Sequence, residues 1–156
     1  MAEVDRRYKR LKAVFAGIDG QGLTSELLAH YAKYLCVLVA GFAEQSVKEL
    51  VSEYARVQSS ERVHRYVAGQ LKLVWGLDTV KLQRIVEAMD PTWWAELKAA
   101  RPEELESLAS VASVRNLIAH GQDTGITIGT ITNYFEDVNK LVRHLSTLLG
   151  DPTGTY

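Results

Sequence analysis

RNLIAHG, residues Arg115–Gly121, closes a run of Leu, Val, Ala and Ser that begins at Pro102. An arginine, an asparagine and a histidine interrupt an otherwise apolar segment, and Gly121 then ends it as a left-handed terminator. Pro102 suits a first helical position, and Glu103 and Glu104 sit well against the positive N-terminal end. The segment therefore predicts one helix ending at the motif. At ~100° per residue, Val111, Val114, Leu117 and Ile118 share one side, the expected core face. Ala109, Ala112 and Ala119 lie on the other, with Leu105 and Leu108 near its start. Arg115 borders this small-residue arc at one edge and His120 at the other, about 140° apart. Asn116 falls between them, one turn below His120, and Ser113 lies near the His120 edge.

Outward from the motif, helical periodicity dominates. Ile131, Tyr134, Phe135, Val138, Leu141, Val142, Leu145, Leu148 and Leu149 predict a last helix from about Thr130 to Leu149. ITIGTIT before it has some β character but is too short and isolated for a sheet. Toward the N-terminus, Val4, Tyr8, Leu11, Phe15 and Ile18 give an opening amphipathic helix, broken at GIDGQGLTS. A long helix from Ser25 to Val57 follows, then one over Glu61–Trp75 and one capped by Asp78 or Thr79 and ending near Asp90. PTWWAELKAARP reads as a short helix between two prolines, with Trp93 and Trp94 as core anchors. The expected fold is all-α, a bundle of five to seven helices in a single domain over residues 1–156. Residues 1–20 are read as an N-terminal helical extension, 25–149 as the core bundle and 150–156 as a tail.

The bulk properties fit. A chain of 156 residues with 47% hydrophobic and 24% charged residues suits one domain with a real core. A net charge of −1 provides no global field for long nucleic acid, so such a partner would be gripped locally. The single cysteine, Cys36, lies in an apolar run and reads as packing, which with the charged N-terminus points to a reducing, cytoplasmic setting. YLCVLVAGFA (Tyr34–Ala43) falls short of the ~20 residues that cross a bilayer and reads as a core helix; no membrane partner is expected.

Arg and His at this spacing suit phosphate chemistry. Arginine offers a permanently charged fork that matches phosphate oxygens, and an imidazole can take or give a proton near neutrality. Cutting RNA without a metal needs a base for the 2′-hydroxyl, an acid for the leaving 5′-oxygen and positive charge at the phosphorus. One helix supplies one histidine, so acid and base would come from two copies of the motif across a two-fold axis. By spacing alone, the pair reads equally as a rim arginine and a C-terminal histidine favoured by the helix dipole.

VRNLIAHG at a helix end, followed by a loop and a long final helix, resembles the HEPN superfamily, whose signature is Arg, a polar residue, and His four to six residues on. The wider pattern is most similar to the RiboL-PSP branch, which tends to carry an acidic residue in its long early helix, here Glu44 within FAEQSVKEL (Phe42–Leu50). The likeness spans roughly residues 25 to 149, with RN-x-x-AHG its strong part. The resemblance implies an α-helical bundle dimerised through the motif helices and a metal-independent endoribonuclease without cofactors. Arg115 and His120 would be the catalytic pair, with Asn116 shaping the site. It further implies a role in toxin–antitoxin, antiphage or stress systems, a structured RNA such as transfer RNA as substrate, and a cognate antitoxin or defence partner. Glu44 would orient Arg115 or His120. Some relatives lack the motif, and the alternative is a non-catalytic dimerisation, antitoxin or adaptor module.

Other residues carry weaker signals. RRYKRLK places Arg6, Arg7 and Arg10 on the first helix, and Arg62 and Arg65 add a second cluster; both are candidate RNA contacts. His30, His64 and His144 have no companions at metal-ligand spacing, His144 reading as a solvated polar-face residue.

Overall fold

The structure is a computed structural model that describes residues 1–19 and 21–150. Among the described residues the chain forms seven helices and no strand: α1 (Ala2–Asp19), α2 (Ser25–Gln58), α3 (Glu61–Lys72), α4 (Thr79–Met89), α5 (Pro91–Ala100), α6 (Pro102–Ala119) and α7 (Ile128–Leu148). Residues 151–156 of the expected tail lie outside the described residues.

Local chemistry starts most of these helices. The Thr24 hydroxyl accepts from Leu27 N–H, and the carboxylates of Asp78 and Asp90 accept from Lys81 N–H and Thr92 N–H. Each satisfies one of the donors a helix N-terminus leaves open. Pro91 and Pro102 occupy first-turn positions, where the missing N–H costs nothing. At the far end of α6, Gly121 takes φ +67°, and Gln122 N–H reaches back to Leu117 C=O at 2.9 Å.

The long α2 is the spine. It packs against α1, α3, α6 and α7, and α6 also lies along α7. Its length and composition would suffice to cross a membrane. In the fold its buried side chains, from Ala32 and Leu35 to Val51 and Ala55, belong to the bundle interior. At the centre Phe135 stacks on Phe15 (centroids 5.0 Å apart) and Tyr8 (5.2 Å) and meets Phe42 edge-on (5.6 Å). Such aromatic clusters add to area burial. Trp93 and Trp94 are both half-buried against the core, Trp93 edge-on to Tyr54.

Three elements differ from the sequence reading. α1 is not appended to a finished bundle: Val4, Leu11, Phe15 and Ile18 join the same core as α2 and α7. α3 ends at Lys72, so Trp75 falls in a loop where Gly76 adopts φ +61°. α7 begins at Ile128, because Thr127 caps it by accepting from Thr130 N–H at 3.2 Å, and the last five residues of the ITIGTIT run are helical. Burial of Ile131 at one face overrides local β propensity there.

Candidate active site

α6 turns different faces inward and outward than its apolar periodicity suggests. Leu105, Leu108, Val111 and Ala112 are buried, whereas Val114, Leu117 and Ile118 are only half-buried. The core face is thus centred near Leu108, and Ala112 of the expected alanine arc is interior while Ala109 and Ala119 are exposed. Apolar and small residues surround this helix, so periodicity alone could not single out one side. The exposed face carries Glu106, Ala109, Ser113, Asn116 and His120, all within about 80° of one another. Arg115 continues the line of Leu108 and Val111 and is half-buried. Its stem lies over the protein and its guanidinium emerges at the rim, as long cationic side chains do.

That guanidinium opens into a cavity of about 200 Å³ lined by Arg115, Asn116 and Ala112 of α6, Val37, Ala40, Gly41 and Glu44 of α2, and Trp75, Gly76 and Leu77 of the α3–α4 loop. Arg115 Nη1 donates to Asn116 Oδ1 at 3.4 Å, a long contact that leaves most of the fork's donors for other partners. Gly76 lies beside the fork: a Cβ there would come 3.4 Å from Arg115 Nη1 and 3.8 Å from Lys81 Nζ, ordinary contact distances. Its φ of +61° is what favours glycine there.

Glu44 shares this cavity, yet its hydrogen bonds go elsewhere than to Arg115 or His120. Its Oε2 accepts from Gly76 N–H at 2.7 Å and Leu77 N–H at 3.3 Å, and its Oε1 from Lys48 Nζ at 2.8 Å. It therefore fixes the loop that faces Arg115. Glu44→Gln leaves one acceptor oxygen where two served Gly76, Leu77 and Lys48, and removes the ion pair with Lys48. We expect a loss of about 1–3 kcal/mol of stability, read from the urea midpoint.

His120 lies outside the cavity. It is exposed at the C-cap of α6, and its backbone N–H, not its ring, makes the capping bonds to Asn116 C=O (3.1 Å) and Leu117 C=O (3.2 Å). One chain thus brings Arg115 and Asn116 to a cavity and presents His120 on the adjoining outer face. Next to that face α2 exposes Leu27, Tyr31, Tyr34 and Val37 at 39–52%. Val37 and Asn116 line the same cavity, so the two exposed faces are continuous.

The remaining candidates separate. Arg7 and Arg10 line a neighbouring cavity with Tyr34, Val37 and Gly41, while Arg6 pairs with Glu3 at 3.2 Å. Arg62 and Arg65 are exposed on α3, Arg65 paired to Glu61 at 2.7 Å. His64 Nε2 meets Ser52 Oγ at 3.2 Å. His144 is half-buried rather than solvated; burial and then the nearby Arg101 hold its pKa below the usual histidine value. Cys36 is fully buried and its thiol is pushed up to about 11 by desolvation, which makes it inert packing. Among the described residues no group of three His, Cys, Asp or Glu gathers as metal ligands. The residues that sequence reasoning missed are Trp75 and Gly76. Their Trp–Gly pair after an apolar stretch was a turn signal, submerged in a helical pattern.

A bundle of helices whose penultimate member ends in Arg-Asn-x-x-x-His carries the HEPN signature on its sixth helix. The RiboL-PSP-HEPN family pattern matches residues 3–151, and the chain belongs to that family. HEPN domains are generally ribonucleases, and membership suggests an RNA substrate and dimerisation. Neither a curated protein nor a solved structure matches the chain.

Proposed function

We propose that this single-domain protein is a metal-independent endoribonuclease whose site is completed by a second copy of the chain. The observation that carries the reading is the separation within one chain: Arg115 and Asn116 at a cavity, His120 on the outer face next to it. A two-fold pairing of the α6 faces would set two motifs against each other, and the exposed Tyr34 and Val37 would extend that contact. In this reaction the substrate's 2′-oxygen attacks the adjacent phosphorus while one imidazole takes the 2′-proton. The bond to the 5′-oxygen breaks and the second imidazole, protonated, gives that oxygen its proton. Arg115 holds the phosphate charge that builds up between these events, and Asn116 positions the fork. The protein would act in the cytoplasm in toxin–antitoxin, antiphage or stress systems, with a structured RNA such as transfer RNA as target and an antitoxin or defence partner as regulator.

The test is incubation of purified protein with total RNA in EDTA, with sequencing of the RNA ends. The expected result is cleavage that persists under chelation and leaves 2′,3′-cyclic phosphate. Ends bearing 3′-hydroxyl, or complete loss of cutting with chelator, overturn it. A dimer that binds RNA or protein without cutting supports the second reading, a dimerisation or adaptor module.

A further inference from the structure

Trp75 keeps 73% of its surface exposed, in a loop that is nevertheless held at several points. Glu44 accepts the next two amides, Gly76 N–H and Leu77 N–H. Lys81 Nζ donates to the carbonyls of Trp75 at 2.7 Å and Gly76 at 2.9 Å, and Leu77 is buried. The indole is therefore displayed by a fixed backbone. Leaving so large an apolar ring in water forgoes the free energy of burying it, whereas a ring presented this way is suited to stacking with a flat ligand.

The surroundings of the ring define that ligand. Lys48 Nζ lies over the ring at 5.2 Å from its centroid, a cation–π contact that occupies one face and leaves the other. Trp75 also forms a wall shared by two cavities. The smaller holds Arg115 and Asn116, with Glu44 engaged by Gly76, Leu77 and Lys48; the larger, about 480 Å³, holds Lys48, Lys72, Gln45 and Ser52 beside one carboxylate, Glu49. From Arg115 across Trp75 to Lys48 and Lys72, the order is cation, aromatic, cation. This matches the order of phosphate, base and phosphate in an unpaired strand, where charge and ring alternate.

We propose that Trp75 is a nucleobase-stacking residue, and that its loop forms a subsite for the unpaired nucleotide next to the scissile phosphate. The base lies on the ring face that Lys48 leaves open, and the phosphate beyond it is held by the exposed Lys72. This rests on the reading that Arg115 holds the scissile phosphate. Because the bases of a duplex are stacked on one another, the subsite selects single-stranded or loop RNA. It does so with little regard to sequence, since every base has a π-face.

The probe is a short fluorescein-labelled single-stranded 2′-O-methyl oligoribonucleotide, which cannot undergo 2′-oxygen attack, and the same strand annealed to its complement. Anisotropy should show Trp75→Ala weakening single-strand binding by about 5- to 150-fold and Trp75→Phe by much less. With Trp93 and Trp94 changed to Phe, Trp75 is the only tryptophan of the three left. Its fluorescence should be quenched by the unlabelled single strand and not by the duplex. On cleavable RNA, Trp75→Ala should raise KM. Unchanged affinity in Trp75→Ala, equal quenching by the duplex, or no single-strand binding by the wild type would each overturn the proposal. Binding that depends on Trp75 in a protein that never cuts RNA keeps the subsite and removes the nuclease reading. Normal cutting with Trp75→Ala indistinguishable from wild type does the reverse.

Discussion

His120→Ala and Arg115→Ala are each expected to lower RNA cleavage by about 10²- to 10⁴-fold while the chain stays folded, the usual cost of removing one acid–base group or one charge stabiliser. The two should differ in stability. His120 is exposed and its cap bonds come from the backbone, so its loss should shift stability by no more than about 0.5 kcal/mol. Arg115 is half-buried in line with Leu108 and Val111, and its fork passes close to Gly76. Truncating it removes the packing of its stem as well as its charge, at about 1 kcal/mol. Arg115→Lys keeps a charge and most of the stem but cannot reproduce the bidentate fork, so it should fold like wild type and still fail to cut. Cleavage rate, melting temperature and dimer mass, measured on the same three variants, separate chemistry from structure. Variants that cut RNA at the wild-type rate would end the assignment at this site. Variants that lose dimerisation or melt early would indicate that Arg115 and His120 organise an interface.

The sequence was most legible where local chemistry and burial agree. In α2, α4, α5 and α6 a capping residue or a first-turn proline coincides with the start of an apolar pattern, so their limits are readable to within a residue or two. The start of α7 was less so, because Thr127 caps a β-branched run whose local preference opposes the helix that its buried face imposes. The inner face of α6 was misjudged for a different reason. With Leu, Val, Ala and Ile on every side, only the neighbours decide which are covered, and α2 and α7 cover Leu105, Leu108, Val111 and Ala112. Arg115, Asn116 and His120 stood out as polar groups in an apolar turn. The wall opposite Arg115 did not, because a loop carrying Trp75 and Gly76 is brought there by Glu44, some thirty positions away in the chain. A contact between a carboxylate and two backbone amides leaves no periodic trace.

Ala109→Arg should reduce cleavage as far as the motif variants do, about 10²-fold or more, without touching any group of the site. Ala109 is exposed on the α6 face that carries Ser113, Asn116 and His120, so an arginine there adds bulk and like charge across a two-fold axis while leaving the isolated chain's core intact. Light scattering should then give a monomer with an unchanged melting curve, and wild type a dimer at micromolar concentration. A wild-type monomer that cuts RNA would remove the need for a second copy. Mixing shows whether the two copies work on one phosphate. If both histidines serve a single site, one as base and one as acid, a dimer with one His120→Ala chain is inactive. At equal proportions with free exchange, roughly one-quarter of dimers keep both histidines, so activity per total protein should fall to roughly that fraction. A fall only to one-half, roughly what independent sites would give, would mean that each histidine works without the other. The one motif imidazole on each chain, His120, would then need a different proton partner, and Glu44, held by Gly76, Leu77 and Lys48, is not free to be one.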